Sequence, residues 1–375
     1  SRTTSRANST ERPARWMTLA NARAAVVLRI PCEPMKAIFA LRGQGTRRCY
    51  SLRTMTTYRD RYPIRVGALL WPQRTDWAQL SAFARQADEL GLDSLWTWDH
   101  LHAIVGDPLQ DIYEGWTTLA AWAAQTERIQ LGLMVGANTF RNPGLTAKSA
   151  VTVDHISGGR TWLGIGGAWF EYEHAANGIE FGSGFGPRLD WLDEAVEGVS
   201  RVFAGERVTS APGGHYDFRE LEPHPLTFRG PGTLPIHNGG GGEKKTQRPV
   251  AKYAQGWKVG ASHEKITRKA DILARHVEDV GRDRVMVERT LVRSVGIRDA
   301  ADEAARVLQA GLATNGSGHQ LDPEVDSFGS EEHIAEQWRR YVDIGFTHLV
   351  VDLPAPYDRE TMERLPRLRE LVAGG

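Results

Sequence analysis

Short apolar runs alternate with amphipathic segments along most of the chain. Residues 64–71 form an apolar run of strand length, and residues 75–91 then carry apolar side chains at helical spacing. The predicted strands are residues 64–71, 92–98, 129–135, 160–167, 234–240, 257–260, 284–297 and 346–354, and helices are predicted between them. Strict alternation favours parallel strands joined by crossover helices. Eight such units predict an α/β protein with a (β/α)8 TIM-like barrel rather than an open sheet.

Two segments fall outside this alternation. Residues 205–233 are rich in Gly and Pro, which predicts an insertion, with a hairpin at residues 209–218. Residues 1–62 hold thirteen Arg and Lys residues against three acidic ones and show no sustained period. They are predicted to be a disordered or non-native N-terminal extension, a transit peptide, or sequence upstream of a true start near Met55. The barrel domain is accordingly predicted to comprise residues 63–375.

Composition narrows the class of protein. With 41% hydrophobic and 25% charged residues the chain has the usual make-up of a globular protein. Its net charge is zero, and because residues 1–62 are strongly basic the barrel is acidic, which argues against a nucleic-acid partner. There is no run of 18 apolar residues, so no membrane partner is expected. Cys32 and Cys49 are the only cysteines, which favours a reducing, cytoplasmic location.

Polar residues follow the second predicted strand, in the stretch WTWDHLH. In a TIM barrel the active site lies at the carboxyl ends of the strands. His100 is therefore a candidate proton donor or acceptor, and Asp99 a candidate to orient a cofactor or substrate group. The alternatives are a loop that these residues merely cap, or a zinc site through His100 and His102. His237 lies at another predicted strand end, but the strand ends together provide no convincing set of metal ligands. A metal-dependent hydrolase is therefore the less favoured hypothesis.

Two glycine-rich loops follow later strands. GIGGAW contains Gly166 and Gly167, and HNGGGGEKK contains four consecutive glycines, which are Gly239, Gly240, Gly241 and Gly242. The backbone N–H groups of such loops, and a helix predicted to begin at Glu243, favour a phosphate group. The stretch lacks the Walker ending, and no Rossmann fingerprint is present. Two glycine loops on one barrel face indicate a long phosphorylated cofactor, with Asn138 after the third strand as a further polar contact.

Four stretches of the chain resemble the luciferase-like monooxygenase superfamily, and in particular its coenzyme F420-dependent oxidoreductases. They are LGLDSLWTWDHL, LGLMVGANTFRNPGLTAKSAVTVDHISGGRTWLGIGGAWFEYEHAANGIEF, GGGGEKKTQRPVAKYAQGW and FTHLVVDLP. The resemblance covers about residues 64–372. It implies a barrel of the bacterial luciferase type, hydride transfer between F420 and a small organic substrate, and a possible homodimer. Within the superfamily, the alternative function is FMN-dependent monooxygenation with oxygen. A different class of function, a non-catalytic cofactor carrier, is a further alternative.

The resemblance also implies roles for individual residues. Asp99 and His100 would be the catalytic pair, with Asp99 touching the cofactor and His100 handling protons. A non-prolyl cis peptide is expected between Met134 and Val135, behind the cofactor ring. The other expected cofactor contacts are Asn138, Gly166, Gly167, Gly239, Gly240, Gly241 and Gly242. Trp169 stands where the sugar-phosphate dehydrogenases of this group have a catalytic Glu, which argues against a sugar-phosphate substrate. Pro249 would lie inside the helix predicted to begin at Glu243.

Overall fold

The structure is a computed structural model that describes residues 57–374. The predicted N-terminal extension therefore lies outside the described residues, apart from its last few positions. There a short helix, α1 (Tyr58–Arg61), contacts the barrel. The Tyr58 hydroxyl donates to the carbonyl of Arg284 at 2.7 Å, and the Arg289 guanidinium lies 4.3 Å from the centre of its ring.

Eight parallel strands close into a barrel, which confirms the predicted fold. They are β1 (Arg65–Leu70), β2 (Ser94–Thr97), β3 (Gln130–Leu133), β5 (Thr161–Gly166), β6 (Ile236–Gly239), β7 (Gly256–Val259), β8 (Glu288–Ile297) and β10 (Phe346–Leu353). They pair in this order, and β10 closes the barrel by pairing with both β8 and β1. All eight correspond to predicted strands, because apolar runs of this length are typical of strands buried on both faces.

Helices on the outside join the strands. Their bounds are α2 (Trp77–Glu89), α3 (Gly115–Gln125), α4 (Pro143–Ser157), α5 (Glu171–Asn177), α6 (Phe185–Phe203), α7 (Gln247–Tyr253), α8 (His263–Asp279), α9 (Ala301–Thr314), α10 (Glu331–Val342) and α11 (Arg359–Ala373). Local sequence sets several ends. The Asn142 side chain caps α4 with Pro143 at its first position, and Gly158 ends the helix at a φ of 70°.

Besides α1, the sequence pattern missed three short strands or α-helices. β4 (Gly136–Ala137) pairs with β5, and β9 (Asp326–Gly329) extends the sheet beside the far end of β8. The third is α5. The insertion folds back on itself as predicted: Val208 and Leu221 form an antiparallel bridge, and the Ser210 N–H donates to the Phe218 carbonyl.

Aromatic and polar side chains fill the barrel beneath its mouth. His237 lies between Trp96 and Trp162, with ring-centre distances of 5.1 and 5.8 Å. Complete burial lowers the pKa of His237 to about 3, so its ring is neutral. Neither ring nitrogen has a hydrogen-bond partner among the described residues. His237 is thus part of the barrel interior rather than of a ligand set at the mouth.

Candidate functional site

A cavity of about 460 Å³ opens at the carboxyl ends of the strands. Its two sides differ in what they present. The ends of β3 to β6 contribute Gly136, Ala137, Gly166, Gly167 and the four glycines at 239–242, with Met134 and Trp169 among the larger residues. The ends of β7, β8, β10 and β1 contribute side chains, among them Lys258 and Asp352. A concentration of glycines on one side fits a flat ring, because it allows close approach.

His100 reaches the cavity from the end of β2, and a carboxylate holds it. Its Nδ1 lies 2.9 Å from Oε1 of Glu173, whose other oxygen accepts the Leu101 N–H at 2.9 Å. Glu173 is on α5 and only 1% exposed. Since Nδ1 donates to Glu173, Nε2 is the nitrogen left free for proton exchange with a ligand. The Trp169 ring lies edge-on to His100, at 5.9 Å between ring centres.

Glu173 was not anticipated from the sequence. The only available signal was an acidic residue shortly after the GIGGAW loop, within a helix too short to show a period. Its partner His100 is 73 positions away. Trp169, the residue that aligns with a catalytic Glu in the resembled group, is 59% exposed at the mouth. The carboxylate at this site thus comes from four positions further along the chain.

Asp99 lies behind the cavity wall rather than in it. The Arg141 guanidinium donates to both of its oxygens, at 2.7 and 2.9 Å, and the Ala137 N–H donates to one of them at 3.2 Å. Burial raises the pKa of Asp99 above its ordinary value, although Arg141 opposes this rise. Arg141 also pairs with Glu114. This geometry makes Asp99 a residue that holds β4 in place beside the cavity.

The Met134–Val135 peptide bond is cis, as expected, and both residues line the cavity. It separates β3 from β4. Asn138, two residues past Gly136, is 3% exposed and donates from Nδ2 to the Tyr216 hydroxyl of the insertion at 2.9 Å. Its Oδ1 is buried and has no hydrogen-bond partner within residues 57–374. Asn138 therefore lies next to the cavity lining and links it to the insertion.

All six glycines predicted to bind a cofactor line the cavity. Two positions have a steric need for glycine. A Cβ at Gly239 would lie 2.7 Å from the Val135 side chain, and Gly240 has a φ of 135°. The helix expected at Glu243 instead begins at Gln247, because residues 243–246 form turns. This corrects the predicted helix start: Pro249 lies in the first turn of α7, where its missing N–H leaves no helical hydrogen bond unmade.

The chemistry beside the glycines fits an anionic group. Thr246 Oγ1 is buried without a hydrogen-bond partner among the described residues, and Thr246 lines the cavity. An adjoining groove of about 760 Å³ shares the glycine loop with the cavity. Its basic side chains outnumber its acidic ones by five to two, and the basic ones are Lys244, Lys245, Lys265, Arg268 and Lys269. A free hydroxyl, open backbone and excess positive charge are what a phosphate group requires.

Two further points concern metals and membranes. His102 lies 3.2 Å from the Pro108 carbonyl and His100 is held by Glu173, so the two rings do not converge. Within residues 57–374 there is no group of three or more His, Cys, Asp or Glu side chains placed to hold a metal ion. The same part of the chain has no helix that combines the length and apolar character needed to cross a membrane.

Comparison with known proteins gives a family match over most of the barrel. A family model described as luciferase-like monooxygenase matches residues 61–343. The F420-dependent glucose-6-phosphate dehydrogenase of Microbacterium testaceum is 28% identical over 352 residues, which cover 83% of this chain and 99% of that protein. The 5,10-methylenetetrahydromethanopterin reductase of Methanolobus tindarius is 27% identical, covering 76% of this chain and 94% of that protein.

Solved structures agree on the fold. An F420-dependent secondary alcohol dehydrogenase in complex with an F420-acetone adduct has a TM-score of 0.69 at 17% identity, covering 83% of this chain and 99% of the other. The monooxygenase RslO1 from Streptomyces bottropensis has a TM-score of 0.66 at 20% identity, covering 83% and 98%. At these identities the likeness concerns the barrel architecture alone.

Proposed function

Because the chain belongs to the luciferase-like monooxygenase family, we propose that it is an oxidoreductase that transfers a hydride between coenzyme F420 and a small organic substrate. The observation that carries this proposal is the cavity that joins a glycine-rich wall and a phosphate-suited loop to His100. Relatives named as F420-dependent enzymes support the choice of cofactor, since they align over most of this chain. When bound, F420 supplies a hydride donor or acceptor centre.

The proposal gives each residue of the site a role. The peptide wall from Met134 to Ala137, together with Gly166 and Gly167, supports the ring. The glycines at 239–242, with Thr246, receive the phosphate through N–H and hydroxyl donors. Asn138 fixes this wall relative to the insertion, because its Nδ2 donates a hydrogen bond to the Tyr216 hydroxyl. Asp99 contributes to the cofactor site indirectly, because its carboxylate accepts a hydrogen bond from the Ala137 N–H and so fixes the position of that peptide group.

His100 moves the proton that accompanies hydride transfer. Its Nε2 takes a proton from a substrate that is being oxidised, or gives one to a substrate that is being reduced. The Glu173 carboxylate accepts a hydrogen bond from the Nδ1 N–H of His100 and so holds the imidazole ring in place. The same carboxylate stabilises the imidazolium that forms when Nε2 is protonated. Trp98, Trp169 and Ile104 cover this end of the cavity and limit the access of water.

Cofactor titration tests the proposal. Purified protein is titrated with oxidised F420 and, separately, with FMN, and binding is followed by fluorescence. We expect saturable F420 binding at one site per chain and markedly weaker FMN binding. Tight FMN binding with no F420 binding would overturn the proposal and favour an oxygen-dependent monooxygenase.

A variant of His100 separates binding from chemistry. His100→Ala is expected to bind F420 as the wild type does and to lose roughly 10²- to 10⁴-fold in the rate of cofactor turnover. His102→Ala is the matched control, because His102 faces Pro108 and Tyr172 rather than the cavity. Equal loss in both variants would contradict the role given to His100.

A further inference from the structure

Two tryptophan side chains lie beside His100 at the mouth of the cavity. The centre of the Trp98 ring lies 6.3 Å from that of the imidazole ring, the centre of the Trp169 ring lies 5.9 Å from it, and both meet it edge-on. Trp98 is buried, whereas Trp169 is more than half exposed. Phe185, which begins α6, also lines the cavity and is 53% exposed. Large aromatic surfaces left open around a cavity are typical of a binding site.

The backbone before Trp169 indicates that the position of this indole matters. Ala168 has a φ of 57°, in the left-handed region that residues other than glycine rarely adopt. Such conformations are concentrated at functional sites, where the surrounding structure maintains them. Ala168 itself lines the cavity, between Gly167 and Trp169. The turn after β5 therefore holds the indole at the mouth, although much of its surface is left exposed there.

The contacts with His100 indicate which ligand the two indoles meet. Under the proposed function, Nε2 of His100 exchanges a proton with the substrate, so the reacting end of the substrate lies beside this imidazole ring. Because Trp98 and Trp169 adjoin the same ring, they are within reach of the part of the substrate next to its reacting group. Trp98 is fixed by packing against Trp71, at 4.7 Å between ring centres. A flat aromatic ring gains stacking or edge-to-face contacts on such a surface, which an aliphatic ring of the same size does not.

We propose that Trp169, together with Trp98, selects a substrate that carries a planar aromatic or conjugated ring next to its reacting group. This inference rests on the proposed function, because that function places the reacting group at His100. The ring of the substrate covers the exposed indole of Trp169 and removes its surface from water. Trp169 is thus a specificity-determining residue, and the aliphatic analogue of a substrate binds less tightly.

Phenol and cyclohexanol test this preference in F420-loaded protein. Each has a hydroxyl group on a ring of the same size, but only the ring of phenol is flat and aromatic. Their dissociation constants are compared by saturation-transfer NMR. The wild type is expected to bind phenol about tenfold more tightly than cyclohexanol. Trp169→Leu should reduce this ratio at least about threefold, and Trp169→Phe, which retains an aromatic ring, should keep most of it.

Tyr172→Leu is the matched control. Tyr172 is another exposed aromatic residue of this segment, but it packs on His102 and Phe170 rather than lining the cavity, so the ratio should not change. F420 binding is measured for every variant: if Trp169→Leu weakens it but keeps the wild-type ratio, the indole binds the cofactor and the proposal is wrong. Equal affinities of the wild type for phenol and cyclohexanol, or an equal loss in Trp169→Leu and Tyr172→Leu, would also overturn it. If the wild type binds no F420, the proposed function fails, and the same ratios measured without F420 still decide whether Trp169 selects an aromatic ring.

Discussion

Replacing Arg141 by Met isolates the carboxylate of Asp99. In the wild type this carboxylate is 1% exposed and accepts three hydrogen bonds, two of them from Arg141. The variant leaves only the Ala137 N–H as a donor. Met fills much of the space of the arginine stem, so the change removes charge and hydrogen bonds more than volume. Glu114 also loses a partner, but it still caps α3 through the Trp116 and Thr117 N–H groups.

The expected cost depends on pH. Breaking a buried ion pair by removing one partner destabilises a protein by about 3–5 kcal/mol. Burial already raises the pKa of Asp99, and losing Arg141 raises it further. The folded state then binds a proton that the unfolded state has released, so the free energy of unfolding falls by about 1.4 kcal/mol per pH unit between the unfolded and folded pKa values. The deficit relative to the wild type should therefore be small near pH 5 and reach its full size near pH 8.

Urea denaturation at pH 5, 6.5 and 8 measures this deficit. The double variant Asp99→Asn/Arg141→Met is the control, because it removes the buried charge together with its partner. It should be more stable at pH 8 than Arg141→Met alone, since no unpaired carboxylate remains. The reasoning would be refuted by a deficit below about 1 kcal/mol at pH 8, by one that does not change with pH, or by a double variant less stable than the single one.

Three other changes have defined outcomes. Glu173→Gln should lower the turnover number by at least about tenfold and alter its pH profile, because a neutral amide stabilises protonated His100 less; F420 affinity, measured by titration, should stay the same. Gly239→Ala should destabilise the fold by about 1–3 kcal/mol and weaken F420 binding, because its Cβ would lie 2.7 Å from Val135; thermal unfolding and titration measure both. Asp352→Asn should be more stable than the wild type by up to about 3 kcal/mol above pH 6. This gain should disappear toward pH 4, because the wild-type pKa of Asp352, near 6, makes its ionisation unfavourable in the folded state. Urea denaturation from pH 4 to pH 8 tests the sign of the stability difference.

Each of these has an outcome that contradicts it. An unchanged pH profile in Glu173→Gln would mean that the carboxylate only positions α5. For Gly239→Ala the control is Gly186→Ala, where a Cβ meets nothing closer than Lys245 Nζ at 3.8 Å; equal effects of the two changes would show that steric contact is not the cause. A stability difference for Asp352→Asn that stays constant from pH 4 to pH 8 would exclude a titration effect.

The barrel could be predicted because burial on both faces leaves a plain record in the sequence. β10 (Phe346–Leu353) is almost wholly buried and reads as an apolar run. β9 (Asp326–Gly329) carries Asp and Ser and has only four residues, so it gave no such signal. α7 was predicted four residues too early, because charged residues after glycines are equally typical of a turn and of a first helical turn. Its true start depends on how the glycine loop packs against β6 and α8.

The candidate site could be predicted only in part. His100 and the six glycines lie where strand ends were expected to place them. Glu173 was missed because its role depends on a contact with a residue 73 positions away. Lys258 and Asp352 lay within predicted strands, and it is the closure of the barrel that places both at one cavity. Whether Asp99 touches the cofactor stays a prediction, while its contacts with Arg141 and Ala137 describe how it is held.

The concentration of glycines on one side of the cavity has a consequence for divergence within the family. Peptide groups are the same whatever the sequence, so the glycine-rich side can persist while most surrounding positions drift, provided that these glycines are kept. Single-nucleotide changes at β8, β10 and β1 replace lining side chains without altering that side. A barrel of this kind can acquire a new substrate in few mutational steps and retain its cofactor throughout.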